Sequence, residues 1–446
     1  MPTFTTTTVM SSQSNNLSLH KLKINPKTQS NIVTINVGGR IFQTTDQTLT
    51  QAGPKSLLSQ LSELNQLVPH FIDRDPDLFS ILLSLLRTGN LPSKAKSYDL
   101  QDLIEESKFY KIESLLVNSL SNPSQFDPFN LQKTVILPLN SRDTASAITT
   151  TPYGSLHVSH GSKITSFDWS LQNKSTALTQ FTAIDSMLAI SPNLVAVGAT
   201  DFSGLQILDL EKKGLVLETL NWENVTKSGS TVQAIGSSND LLFTSFESSR
   251  RNSNSIVVYD LKTLSPVTEI ESYNLVMASG SHSGPSGVLG NVKFWDIRSG
   301  CVVWEFKEKV DCFSDVTVSD NLSSIFKVGV NSGEVFYADL RKLGSEGNDS
   351  WVCLGDERKV GNVRKEGVVF CSRGGDIELW SEVVMDSSKK REEGLPERVF
   401  RKNLMGRVKD MAGSRVTNLA FGGDRMFVTW KDQQSVEVWQ SSVMGS

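Results

Sequence analysis

Seven pairs of short apolar runs recur along the second half of this 446-residue chain, and no other feature narrows its fold as far. They pair residues 156–158 with 161–168, 194–198 with 204–209, 241–244 with 256–260, 275–278 with 291–296, 325–328 with 333–339, 368–371 with 375–380, and 426–429 with 435–439. Gly, Ser, Asn and Asp fill the gaps as turn residues. The second run of a pair often ends in an aromatic residue and Asp, as in Phe294-Trp295-Asp296 and Tyr259-Asp260, or in an equivalent such as Leu208-Asp209. The phrase returns about every forty residues, with a stretched interval before its last copy. Helical stripes vanish over the same stretch, so the second half is read as all-β.

That period, with four short strands per unit, is the signature of a β-propeller blade. Residues 135–442 are therefore expected to form a seven-bladed propeller whose last blade draws a strand from the start of the region, leaving no open edge. The phrase resembles the WD repeat, with Trp295-Asp296 as its fullest copy and the usual Gly-His near the start of the repeat mostly missing. In that repeat Trp295 would pack between blades and Asp296 would pair with a turn. Trp295-Asp296-Ile297-Arg298 also resembles a box by which some propellers dock on an adaptor of cullin-4 ligases, ranked here below the structural role. Within the stretched interval, Lys389-Lys390-Arg391 and the segment from Arg398 to Arg407 read as an exposed loop, because Glu392, Glu393 and Glu397 interleave with the basic residues.

The first half carries a helix marked at both ends. Asp75 suits the N-cap, Pro76 the first helical position, and Asp77 faces the positive end of the dipole. Phe79, Leu82, Leu83 and Leu86 fall on one stripe, Arg87 sits in the last turn, and Gly89 supplies the stop. Upstream, Val33 to Val37 alternates apolar and polar, Gly38-Gly39 makes a two-residue turn, and Arg40 to Thr44 returns. Downstream, Leu100, Leu103 and Ile104 make another stripe, running into Glu105 to Ile112.

These strings, in this order, resemble the BTB/POZ domain of the potassium-channel tetramerisation type. The carriers are Ile35-Asn36-Val37-Gly38-Gly39, the turn Asp73-Arg74-Asp75-Pro76, the helix end Leu86-Arg87-Thr88-Gly89, and Phe109-Tyr110-Lys111-Ile112, with Ser107 where the family has Ala. The division expected is a disordered tail over 1–30, an α/β BTB/POZ domain over 31–121, a linker over 122–134 and the propeller. The resemblance implies self-association and partner binding through Phe71, Asp73, Arg74, Asp75 and Tyr110, within a surface running from Leu67 to Phe71 and along the helix from Tyr110 to Leu116. Read locally, Asp73-Arg74-Asp75 is a helix cap with one surface ion pair. Some relatives join subunits through a zinc site of His and Cys; here no Cys precedes Cys301.

Charge is close to balanced at net −4, giving no general pull toward nucleic acid or an anionic membrane. No run has the length of a membrane span, and the start has no secretory pattern. The four cysteines, Cys301, Cys312, Cys353 and Cys371, lack Cys-x-x-Cys spacing and read as reduced, mostly buried thiols of a cytoplasmic or nuclear protein. Of the five histidines, His157 and His160 lie three apart in a strand-turn and would not share a face as metal ligands; His282 has no nucleophile-elbow context. With no phosphate loop or paired carboxylates either, no cofactor and no catalysis are expected.

A BTB module ahead of a WD-like propeller resembles the substrate adaptors of cullin-3 ubiquitin ligases. The resemblance implies cullin-3 binding and homo-oligomerisation by the first domain and recruitment of a target protein by the second. The alternative is a non-ligase oligomeric scaffold or a channel-auxiliary protein.

Overall fold

The computed structural model describes residues 32–62, 70–120, 126–140, 142–222, 229–238, 240–248, 253–267, 275–284, 287–296, 299–309, 312–319, 322–329, 332–343, 351–354, 363–373, 376–383, 399–405 and 415–441. The expected tail, the positions from Leu67 to Pro69, Arg298 and the basic run Lys389-Lys390-Arg391 lie outside them.

Alternation builds the first domain. In β1 (Ile32–Val37), Val33, Ile35 and Val37 point inward and are buried, and β2 (Arg40–Thr45) pairs with it antiparallel. Gly38 and Gly39 make the turn at φ +54° and +88°. A Cβ on Gly38 would stand 2.5 Å from the Arg74 carbonyl oxygen, so both conformation and space demand glycine there. Two short helices follow, α1 (Asp46–Thr50) and α2 (Leu57–Ser62). Then β3 (His70–Ile72) joins β1 in parallel, giving the sheet order β2-β1-β3.

Helix α3 (Pro76–Thr88) forms where its end signals place it. The Asp75 carboxylate accepts from the amides of Asp77 at 2.7 Å and Leu78 at 3.1 Å, and Gly89, at φ +74°, closes the far end. Arg87 donates to the Gln43 carbonyl at 2.7 Å, tying the helix end to β2. Phe79, Leu82 and Leu86 complete the core with Val33, Ile35 and Val37. Helices α4 (Leu100–Phe109) and α5 (Glu113–Leu120) follow. Ser107 is fully buried, its hydroxyl returned to the Ile104 carbonyl at 2.8 Å, so it fills the expected small-residue position without an unpaired group.

Beyond residue 130 the described chain is almost wholly antiparallel sheet, and each of the seven strand pairs read from the sequence falls within a separate sheet. In chain order the sheets, I to VII, span residues 147–178, 186–220, 230–260, 275–308, 313–353, 363–405 and 416–441. Sheets III, IV and VI have three strands among the described residues, and the others have four. Sheet VII takes its fourth strand from Leu131–Pro138, which pairs with Ser435–Ser441 and so joins the two ends of the region. That strand begins inside the expected linker.

Contacts join several of the neighbouring sheets. Thr149 accepts the Ala189 amide at 3.0 Å between I and II, and Ser203 bridges Thr231 between II and III. Phe313 of V lies against Gly290 of IV, Phe326 and Tyr337 of V pack on Val369 and Phe400 of VI, and Ile377 of VI packs on Met426 of VII. Thr150 of sheet I donates to the Phe421 carbonyl of sheet VII at 2.6 Å, so the first and last sheets also touch.

Two expectations change. Val399–Met405, read as part of a charged loop, is the third strand of sheet VI, because buried Phe400 packs with its ring 5.2 Å from that of Tyr337 and Lys402 pairs with Glu378. Cys301 is exposed, whereas Cys312 is buried; neither forms a disulfide.

Candidate functional site

The register of the first sheet sets Ile41 of β2, Asn36 of β1 and Phe71 of β3 in one row. Ile35, Val37 and Ile72 occupy the core side, so the row lies on the outer face. Phe71 is 62% exposed and Ile41 53%, two apolar side chains flanking Asn36 with no covering element among the described residues.

The turn from β3 into α3 borders the strip. Asp73 is exposed, while Arg74 folds back over the domain. Its guanidinium lies 4.2 Å from the centre of the Phe109 ring and 3.4 Å from the Glu106 carboxylate. Burial lifts the Glu106 pKa above the ordinary carboxylate range, and the Arg74 charge pulls it partly back. Asp75 spends its carboxylate on the helix cap. The ion pair expected at this turn therefore runs from Arg74 to Glu106 of α4, and not to either flanking Asp.

Tyr110 is a correction. It is fully buried, with its ring 5.3 Å from Phe79, because the αR turn ending α4 aims it at the core. The neighbour Phe109 is the exposed member of the pair, stacked edge-on against Tyr110 at 5.0 Å and capped by Arg74. Burial and the adjacent Glu106 carboxylate keep the Tyr110 phenol protonated well above its usual range. Ile112 and Leu116 are also fully buried, so within the stretch from Tyr110 to Leu116 only Lys111 and Ser114 are exposed. Sequence reasoning missed Glu106 and Phe109. Their signal was the Phe-Tyr dipeptide itself, since adjacent positions on a helix end cannot both face one core.

Trp295 and Asp296 end a strand of sheet IV, where the Asp296 carboxylate accepts from the Ser299 hydroxyl at 3.0 Å. The same position recurs with the same duty. Asp168 accepts from the Asn173 amide, Asp209 from Lys212, Asp260 from Thr263 and Asp339 from Arg341. The repeated Asp is thus a turn cap in sheets I to V, and Ser381 and Gln440 stand in its place in sheets VI and VII. Arg298, the last residue of the box, lies outside the described residues.

His157 and His160 lie within one strand, Leu156–His160, and both are buried. His157 Nδ1 is 2.9 Å from the Ser166 hydroxyl and His160 Nε2 is 2.7 Å from that of Thr165. Among the described residues, no group of three or more His, Cys, Asp or Glu is placed to hold a metal ion, and no helix is long and apolar enough to cross a membrane. Among the described residues, the exposed large apolar side chains on the β region's strands, Val135, Ile136, Leu178, Leu215, Leu217, Val302, Val303 and Val352, all stand on outer strands.

An α/β module followed by seven small antiparallel sheets defines a two-part protein, α/β and then β. The BTB/POZ domain family matches residues 33–120. The BTB/POZ domain-containing protein At5g41330 of Arabidopsis thaliana is 59% identical over 94% of this chain and 98% of its own length. A second Arabidopsis protein, BTB/POZ domain-containing protein At4g30940, is 24% identical over 92% of this chain and 97% of its own. Human BTB/POZ domain-containing protein KCTD5 is 38% identical over 20% of this chain and 42% of its own. The chain belongs to the BTB/POZ domain-containing proteins.

Proposed function

We propose that this protein is a substrate-specific adaptor of a cullin-3 ubiquitin ligase. Its BTB/POZ domain self-associates and binds the cullin, and its β region holds the protein to be ubiquitinated. The adaptor performs no bond chemistry; it raises the local concentration of target lysines at the ligase. The seven sheets are read as the blades of one propeller. The pairing of Leu131–Pro138 with Ser435–Ser441 supports this, since a first strand that completes a last sheet is what ring closure needs.

The observation that carries the reading is the exposed row of Ile41 and Phe71 beside the Arg74–Phe109 stack, an apolar surface bordered by charge. Calorimetric titration of the full chain with the N-terminal domain of cullin-3, and light scattering of the chain alone, test both halves. Binding at micromolar concentration and a multimer are expected. The Phe71→Asp variant should lose the multimer with an unchanged melting temperature. A multimer with no cullin affinity would leave the oligomeric-scaffold or channel-auxiliary reading, toward which the name of one relative points. That relative, the human potassium channel regulatory protein, is 37% identical over 22% of this chain and 37% of its own length.

A further inference from the structure

We propose that helix α5 is an internal docking surface, which seats the BTB/POZ domain in cis on sheets I and VII and closes that helix to outside partners. Three contacts carry the seat, each from a different hairpin of the β region.

The first is Trp169. It directly follows the capping Asp168, a position filled by Leu210, Leu261 and Leu340 in sheets II, III and V. In sheet I alone among these the residue is an indole. It is 8% exposed and packs within the helical cluster of Ile81, Leu85, Leu103 and Leu116. The second is Tyr153, in the hairpin between the first two strands of sheet I, whose hydroxyl donates to the Glu113 carboxylate at 3.1 Å. The third is Gly423, in the corresponding hairpin of sheet VII. Its φ is +64°, and a Cβ there would stand 2.9 Å from the Leu120 carbonyl oxygen. Arg425 then reaches from sheet VII to the Trp169 carbonyl at 2.7 Å, fixing the indole's turn from behind. A cleft of about 200 Å³, lined by Asn90, Ser119, Asp424 and Arg425 among others, remains at the seam.

Chain length makes the seat intramolecular. Residues 121–125 span at most about 17 Å. Both ends of that segment already rest on the same hairpin pair, with the Leu120 carbonyl against Gly423 and the Phe126 ring 5.9 Å from that of Phe421. A partner that required Glu113, Leu116 and Leu120 would have to displace Trp169 and Tyr153. Partners of the BTB/POZ domain are thereby directed to the outer sheet face. The hairpins at 151–155, 168–173 and 423–424 lie at one edge of sheets I and VII, because antiparallel strands alternate their turns between edges. The turns at 161–162 and 431–434 lie at the opposite edge, away from the seat.

Hydrogen exchange on the full-length protein tests the seat without any partner. In the wild type, amides of 113–120 should be protected to a degree similar to those of 156–160. Trp169→Ala should lower protection of 113–120 by tenfold or more, and Tyr153→Ala by threefold or more, while 194–198 and 205–209 stay protected. Both substitutions lie outside α5, so its intrinsic helicity is untouched. Should Trp169→Ala also unfold sheet I, Tyr153→Ala, in a turn, decides alone. Unchanged protection of 113–120 with sheet II intact would overturn the proposal, whatever the outcome with cullin-3.

Discussion

Acidification should destabilise this protein through His157. The side chain is 1% exposed, with Thr149 and Ser166 as its cross-strand neighbours, neither of them charged. Nδ1 meets the Ser166 hydroxyl and buried Nε2 has no hydrogen-bond partner, so a second proton on the ring would have nothing to bond to. Burial accordingly pulls the pKa from 6.5 down to about 4. The unfolded chain therefore binds a proton between these values that the fold refuses, and stability falls as pH drops through that window. At about 1.4 kcal/mol per pH unit of difference, the loss between pH 7.5 and 4.5 is ~2.5 kcal/mol. His160, whose pKa is also lowered by burial, adds to it in the same direction; Lys163 and Lys174 lower it further and Asp143 opposes them. Urea titrations at several pH values measure the effect. His157→Asn keeps a polar atom near Ser166 but does not titrate, so it should lose ~2.5 kcal/mol less than the wild type over this range. Equal losses in the two proteins would refute the reasoning.

Lys327, 4% exposed, sits 3.1 Å from Glu308 of the neighbouring sheet with the Phe306 and Trp351 ring centres each 4.8 Å away. Glu308→Gln should cost about 3 kcal/mol in denaturant unfolding by leaving the cation unpaired, while Lys327→Met should cost far less. Arg74→Ala should destabilise the BTB/POZ domain by about 2 kcal/mol at neutral pH, and Glu106→Gln in that background should restore part of the loss, because the injury is an uncompensated buried carboxylate. Asp75→Ala should cost about 1 kcal/mol through the lost helix cap, read as a lower melting temperature.

Local rules decided what the sequence showed plainly. Helix α3 was legible to the residue because Asp75, Pro76, Arg87 and Gly89 act within a turn of where they stand. The seven strand pairs were legible for a similar reason, since a hairpin's two strands are near in sequence and their alternation is visible. Strand 399–405 was not, because its high charge mimics a loop and only Phe400, finding Phe326 and Tyr337 in another sheet, reveals it as buried. The apolar row of Ile41 and Phe71 needed the parallel register of β1 with β3, which no local pattern encodes.

Tyr110 and Trp169 show the same limit from opposite sides. Tyr110, a polar-tipped aromatic in a motif tied by resemblance to partner binding, is consumed by its own core. Trp169, beside one of several equivalent capping aspartates, is a side chain that reaches another domain. In both cases residue type was readable and destination was not, because destination is set by which surface tertiary folding brings near. A repeat helps here, since its copies share a backbone position. Where Leu210, Leu261 and Leu340 are covered within the β region, an indole at the same place has more surface than that region covers, and that surplus is buried elsewhere. Departure from a repeat is thus a physical signal of contact beyond it, and in this chain the contact it marks is the α3–α5 face of the BTB/POZ domain.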